Sequence, residues 1–198
     1  MMKASSRIIL VLAALFVLCA SAWSILHLGA SGQGAPGANN IGMKRFVTAD
    51  SAKSFGKASF EDVDGGALSF DGFGGQVVLV NLWARWCAPC KEEMPTLANL
   101  QSLQGGEDFQ VVTVAVEDVE VHKLVEALAE LGASNLPAYR DLDASLAYEF
   151  GIIGMPTSVL LDRGGLEIGR ISGPAKWDSD AALRLIEDAR TGVLGGSS

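Results

Sequence analysis

The stretch that decides the fold is Val77-Val78-Leu79-Val80-Asn81-Leu82-Trp83-Ala84-Arg85-Trp86-Cys87-Ala88-Pro89-Cys90-Lys91. Its first eight residues are apolar apart from Asn81, and three of them are β-branched valines, as in a strand buried on both faces of a sheet. A helical pattern follows from Cys87 to Leu103, with apolar positions at Met94, Leu97, Leu100 and Leu103 and with Pro95 expected to kink it. Cys87 therefore falls where a strand hands over to a helix N-terminus. Unpaired N–H groups and partial positive charge there favour a thiolate. Pro89 suits a first helical turn, where its missing N–H costs nothing. Cys90, three residues on, is about one turn away, close enough for the two sulfurs to bond.

The flanking chain supplies the rest of an α/β architecture. Asp64-Gly65-Gly66 separates the runs 59–63 and 67–70 and marks a β-hairpin. The run 109–116 is a second buried strand, and 119–131 an amphipathic helix carrying Leu124, Leu128 and Leu131. A short strand is expected over 138–140 and a short helix over 143–150 capped by Asp143. Strands over 157–162 and 167–172 are joined by Arg163-Gly164-Gly165, and Asp178 is expected to cap a last helix. Strands alternating with helices predict a central sheet covered on both faces, made mixed by the final hairpin. There is no internal repeat.

Residues 1–43 hold Lys3 and Arg7 and no acidic residue, while the remainder holds 13 basic and 23 acidic ones, a balance of −10 against −8 for the whole chain. Such a domain repels phosphate backbones, which argues against nucleic acid as a partner. Ile8 to Leu26 is 19 residues without a charge. As a helix it would rise about 28 Å, close to the ~30 Å hydrocarbon thickness. The lysine and arginine before it would keep the N-terminus cytoplasmic. Ala20-Ser21-Ala22 offers a signal-peptide cleavage site, but the apolar run continues past it, which favours a retained anchor. The expected division is a single transmembrane anchor over 1–28, a Gly/Ala/Ser-rich linker over 29–43 and a catalytic domain over 44–198. Of three cysteines, Cys19 lies in the apolar run, so the domain is no disulfide scaffold and its two thiols are free for chemistry. Zinc needs about four ligands, and the pair has no obvious His or Met companions for zinc or copper. A peroxidatic cysteine would need Thr or Ser where Ala84 stands. No metal site is therefore expected, although a metallochaperone module using the pair stays as an alternative.

Trp83 to Lys91, with Pro95 five residues beyond Cys90, resembles the active site of the thioredoxin superfamily, and Met155-Pro156-Thr157 resembles its cis-proline loop. The nearest group is the TlpA-like thiol:disulfide oxidoreductases. Support comes from the anchor, the N-terminal β-hairpin, the inserted helix near 119–131, and the stretches Gly154–Leu160 and Ser172–Trp177. The resemblance implies a thioredoxin-like fold over roughly 59–190 and Cys87 and Cys90 as a redox-active disulfide needing no other cofactor. It also implies substrate contacts at Trp86, Met155 and Pro156, with Pro89 structural. Superfamily members carry a buried Asp where this chain has Asn81, which cannot titrate. Glu93 matches a glutamate that the TlpA-like group places near the thiols, and is expected to act as a base for Cys90. The group implies a single-pass inner-membrane protein with its domain in the periplasm. It would be recharged by a membrane thiol-transfer donor and would reduce protein disulfides, foremost in copper-centre assembly for cytochrome oxidase. The haem-maturation branch, the alternative, typically has an acidic residue where Thr157 stands.

Overall fold

Every residue of the strand Val77–Trp83 is buried in the computed structural model, which describes residues 43–194 apart from 52, 56 and 57. The expected anchor over 1–28 and the linker over 29–43, apart from its last residue Met43, lie outside the described residues. Among the described residues no helix is long and apolar enough to cross a membrane. In chain order the strands are β1 (Val47–Thr48), β2 (Ser59–Glu61), β3 (Ala67–Ser69), β4 (Val77–Trp83), β5 (Phe109–Ala115), β6 (Ala138–Arg140), β7 (Thr157–Leu161) and β8 (Glu167–Ser172). The α-helices are α1 (Ala88–Gln104), α2 (Val121–Glu130), α3 (Ser145–Glu149) and α4 (Asp180–Arg190).

The strands form one mixed sheet in the order β1-β8-β7-β4-β5-β6-β2-β3. β4 lies inside it, parallel to β5 and antiparallel to β7, so its ladder is satisfied on both edges. Side chains alternate across a strand. Val77, Leu79 and Trp83 accordingly join a core with Met94, Leu97 and Leu100 of α1, Leu124 and Leu128 of α2, and Ile186 of α4. Val78, Val80 and Leu82 face a second core with Phe55, Phe60, Phe70, Leu146 and Phe150. That second layer is largely aromatic, with Phe60 centred 5.1 Å from Phe70 and 5.0 Å from Tyr139. Three helices cover one face, while the other carries only short α3, the hairpin and irregular chain. The same alternation aims Asn81 at the α1 face, the placement on which the site depends.

Several sequence expectations need correction. Leu103 is 61% exposed, because nine residues beyond Met94 is two and a half helical turns, which carries it to the opposite side of α1. Asp143 does not cap α3. Ala144 takes that position at φ 60°, and the Asp143 carboxylate reaches only the Ser145 N–H. The capping carboxylate is the buried Asp141, which accepts from the N–H groups of Leu146 and Ala147 at 3.2 and 2.9 Å. Likewise Ser179, accepting from the Ala182 N–H, caps α4, while Asp178 accepts from Asn99. β1, which was not foreseen, pairs with β8.

Removing a buried acceptor that holds two N–H groups leaves both unsatisfied. Asp141→Ala is therefore expected to lower stability by about 1–3 kcal/mol and Asp143→Ala to leave it nearly unchanged. Urea midpoints at constant slope check the pair, and equal losses would return the cap to Asp143.

Candidate active site

Cys87 is the N-cap of α1, with extended backbone, and its sulfur accepts from the Cys90 N–H at 3.3 Å. An anion on that sulfur would thus meet a hydrogen-bond donor and the positive end of a 17-residue helix. The two cysteines are joined as a disulfide with Cα atoms 5.3 Å apart. Cys87 is 6% exposed and Cys90 fully buried, so only the first sulfur presents an edge to a partner. Trp86, immediately before it, is 69% exposed, and Trp83 is in the core. The loop between them is fixed by Arg85, whose backbone N–H donates to Glu117 at 2.8 Å and whose guanidinium pairs with the same carboxylate at 3.2 Å. Glu117, at the end of β5, had no signal in the sequence, since only the parallel register brings it beside Arg85.

The Met155–Pro156 bond is cis. β7 starts at Thr157, directly opposite Leu82, so Pro156 lies at the same end of the sheet as the loop leading to Cys87. The Thr157 hydroxyl donates back to the Gly154 carbonyl at 2.7 Å, and the Pro156 carbonyl accepts from the Gly173 N–H at 2.8 Å. Met155 is half-buried against the core, and Ile153 stands wholly exposed on the same loop.

Beneath the disulfide lies a buried polar network. Glu93 is 2% exposed, whereas Glu92 beside it is on the surface. One carboxylate oxygen accepts from the Asn81 amide at 2.7 Å and the other from the Ala175 N–H at 3.0 Å. The Asn81 amide donates also to the Ser158 hydroxyl at 2.9 Å, its neighbour in register. Its Oδ1 has no partner among the described residues. Burial pushes the Glu93 carboxyl up to about 7. The opposing influences, in falling order, are the Ala175 N–H, the Asn81 amide, the Trp177 indole and the positive charge of Arg45. The Trp177 Nε1–H makes no hydrogen bond of ordinary geometry among the described residues, so the indole acts on Glu93 through its dipole. Asn81 and Glu93, singled out separately in the sequence, thus form one unit, and the substitution at 81 supplies the donor that holds the carboxylate. Glu93 and Cys90 are one turn apart on α1 and both buried, which suits proton exchange between them.

Among the described residues no group of three or more His, Cys, Asp or Glu gathers as a metal site. Cys19 lies outside the described residues, and His122 pairs with Glu120 on the surface.

A family model described as Redoxin matches residues 38–185. The chain is 31% identical over 104 residues to the thiol:disulfide interchange protein HelX of Rhodobacter capsulatus, spanning 52% of this chain and 56% of that protein. It is 26% identical over 112 residues to the thiol-disulfide oxidoreductase ResA of Bacillus thuringiensis subsp. konkukian, 57% of this chain and 64% of that one. The matched region thus spans less than two thirds of either relative. Among solved structures, a thiol:disulfide interchange protein described as DsbE from Chlorobium tepidum superposes with a TM-score of 0.61 at 27% identity, over 73% of this chain and 98% of that one. The fold is thioredoxin-like.

A buried acid that holds its proton more tightly folded than unfolded stabilises the fold fully below pH ~4.5 and loses that contribution as pH rises towards 7. Glu93→Gln is expected to remove this slope. Between pH 5 and pH 8 the wild-type disulfide form should lose up to a few kcal/mol relative to the variant, read from urea midpoints at each pH. Parallel curves would mean that the carboxyl titrates near its ordinary value.

Proposed function

Since the chain belongs to the Redoxin family, we propose that it is a thiol–disulfide oxidoreductase working on protein disulfides through Cys87 and Cys90. The observation that carries this reading is the pair itself: one sulfur at the rim on a helix N-terminus, the other fully buried behind it. In the reduced state the Cys87 thiolate attacks one sulfur of a substrate disulfide. The Cys87–substrate bond forms, the substrate disulfide breaks, and the departing substrate sulfur takes a proton. Cys90 then loses its proton, attacks Cys87 and expels the second substrate thiol. Two electrons have passed to the substrate, and the pair is left as the disulfide.

Glu93 takes the Cys90 proton in the second step. A base suited to this works near neutrality, and burial brings the carboxyl there. Trp86, next to Cys87 in the chain, and the Met155–Pro156 loop, at the same end of the sheet, would receive the extended chain of the substrate, in the manner of strand addition.

The reading extends, on resemblance, to a reductase anchored in the inner membrane with its domain in the periplasm, recharged by a membrane thiol-transfer partner. Its substrates would be cysteine pairs that must be reduced before copper binds during cytochrome oxidase assembly. Thr157 after the cis-proline supports this over the haem branch. A metallochaperone role would instead require the reduced pair to bind copper or zinc stoichiometrically, with binding lost in Cys87→Ser.

Cys90→Ser is expected to trap mixed disulfides through Cys87, visible as thiol-sensitive adducts on non-reducing gels, and Cys87→Ser to trap none. Adducts that need Cys19 would sink the mechanism. Glu93→Gln should slow the resolving step by about 100-fold or more near pH 7 and leave the first attack nearly unchanged. A reduction potential well below about −120 mV, the value of a strong protein oxidant, would fit a reductase; one near it would reverse the direction of flow.

A further inference from the structure

The stretch Ser172–Trp177, which the exchange chemistry leaves without a role, is the platform that touches Glu93 from outside the sheet. Besides the bond to Glu93, three of its contacts matter here. The Gly173 N–H donates to the Pro156 carbonyl at 2.8 Å. The Trp177 N–H donates to the Thr96 hydroxyl of α1 at 3.2 Å. The Arg45 guanidinium donates to the Pro174 carbonyl. The last differs in kind. The Pro174 carbonyl belongs to the same planar peptide unit as the Ala175 N–H, and that N–H is the donor to Glu93. One peptide group thus carries a cation on its oxygen and a carboxylate on its hydrogen.

Arg45 reaches that position because the chain before β2 is seated closely. Met43 and Phe46 pack against the main core, and β1 pairs with β8 through Val47 opposite Arg170 and Thr48 opposite Gly169. A Cβ at Gly169 would fall 2.4 Å from the Val47 carbonyl and 2.6 Å from the Phe46 ring, and one at Gly173, whose φ is +90°, 3.0 Å from the Arg45 guanidinium. Both glycines leave room for this N-terminal strap, residues 43–48.

We propose that Arg45 is a positioning residue for the redox site: from the strap it grips and polarises the Pro174–Ala175 peptide so that the Ala175 N–H is held on Glu93. This rests on Glu93 being the proton-handling group of the proposed exchange. Hydrogen bonding to a cation strengthens the opposite end of a peptide as a donor. That path outweighs direct attraction. The guanidinium is on the surface, where charge is screened, and among the influences that lower the Glu93 pKa its charge ranks last while the Ala175 N–H ranks first. The other groups facing Glu93 are Asn81 from β4, backed by Ser158 of β7, the Trp177 indole and, one turn back on α1, Cys90. Arg45 is the charged group that acts on it.

The test is the titration of Glu93 in the full chain, followed by carboxyl 13C NMR of glutamate-labelled protein in the disulfide form, with the signal identified by its loss in Glu93→Gln. Arg45→Met keeps the apolar stem and removes charge and donors. It is expected to raise the Glu93 midpoint by roughly half a pH unit. The rise should persist in 1 M salt, where the screening length is about 3 Å. Arg45→Lys, which keeps one charged donor, should fall between wild type and Arg45→Met and serves if the methionine variant is unstable. An unmoved midpoint, or a rise that disappears in 1 M salt, overturns the proposal. The pH profile of the resolving step gives the second readout. A midpoint that moves while that profile stays in place supports the strap's role and removes Glu93 from the reaction, so the two failures are distinct.

Discussion

The hydrogen bond from Asn81 to Glu93 joins the central strand to the helix that carries the cysteines, inside a largely apolar core. A carboxyl group buried to 2% exposure is tolerable only if its oxygens are satisfied, because an unpartnered buried polar group costs about 1–3 kcal/mol and a bare charge far more. Both oxygens are met, one by β4 and one by the Gly173–Trp177 segment. One donor belongs to the central strand and the other to a separate loop, so the carboxyl ties α1 to both. The same helix holds Cys90 inward and Cys87 at the rim. The orientation of the redox pair and the protonation of Glu93 are consequences of one arrangement.

How much of this was legible in the sequence depends on the range of the interaction concerned. The β4-to-α1 junction was readable because its causes are local: an apolar, valine-rich run, then a helix N-terminus with proline in its first turn. Strand 138–140 and strand 167–172 were likewise placed at their observed bounds. The caps of α3 and α4 were misplaced by one to two residues. Several Asp and Ser residues compete near each helix start, and only backbone geometry, such as the left-handed Ala144, selects between them. β1 was missed because two residues carry no period, and its pairing partner β8 lies some 120 residues away.

The site shows the same division. Cys87, Cys90 and the cis-proline carry sequence signatures. Glu93 was recognised only by resemblance, since nothing local separates it from the exposed Glu92. What separates them is 100° of helical rotation, which turns one into the core and the other to water. Glu117, Ser158, Ala175 and Arg45 were invisible, because each is brought in by register or by a loop, and Ala175 contributes only its backbone. Asn81 was read as the loss of a titrating group. In place it is a donor that lets the neighbouring carboxyl of the helix be buried.

The placement of Glu93 also bears on the energetics of the pair. When Cys90 gives up its proton, a second negative charge would arise one turn from the carboxylate in a medium of low dielectric, which is unfavourable. Transfer of the proton from sulfur to Glu93 avoids that repulsion, because the total charge in the pocket does not change. The protonated acid is in turn a donor, and it can no longer accept so strongly from Asn81 and Ala175. Each factor that strengthens those two hydrogen bonds favours the carboxylate and so opposes proton uptake. Each factor that deepens burial favours it. A carboxyl balanced near neutrality by these opposing forces is responsive to small changes at either donor. That responsiveness follows from near-cancellation of large terms, and under the proposed role of Glu93 it would link the surroundings of the Ala175 N–H to the chemistry of the disulfide.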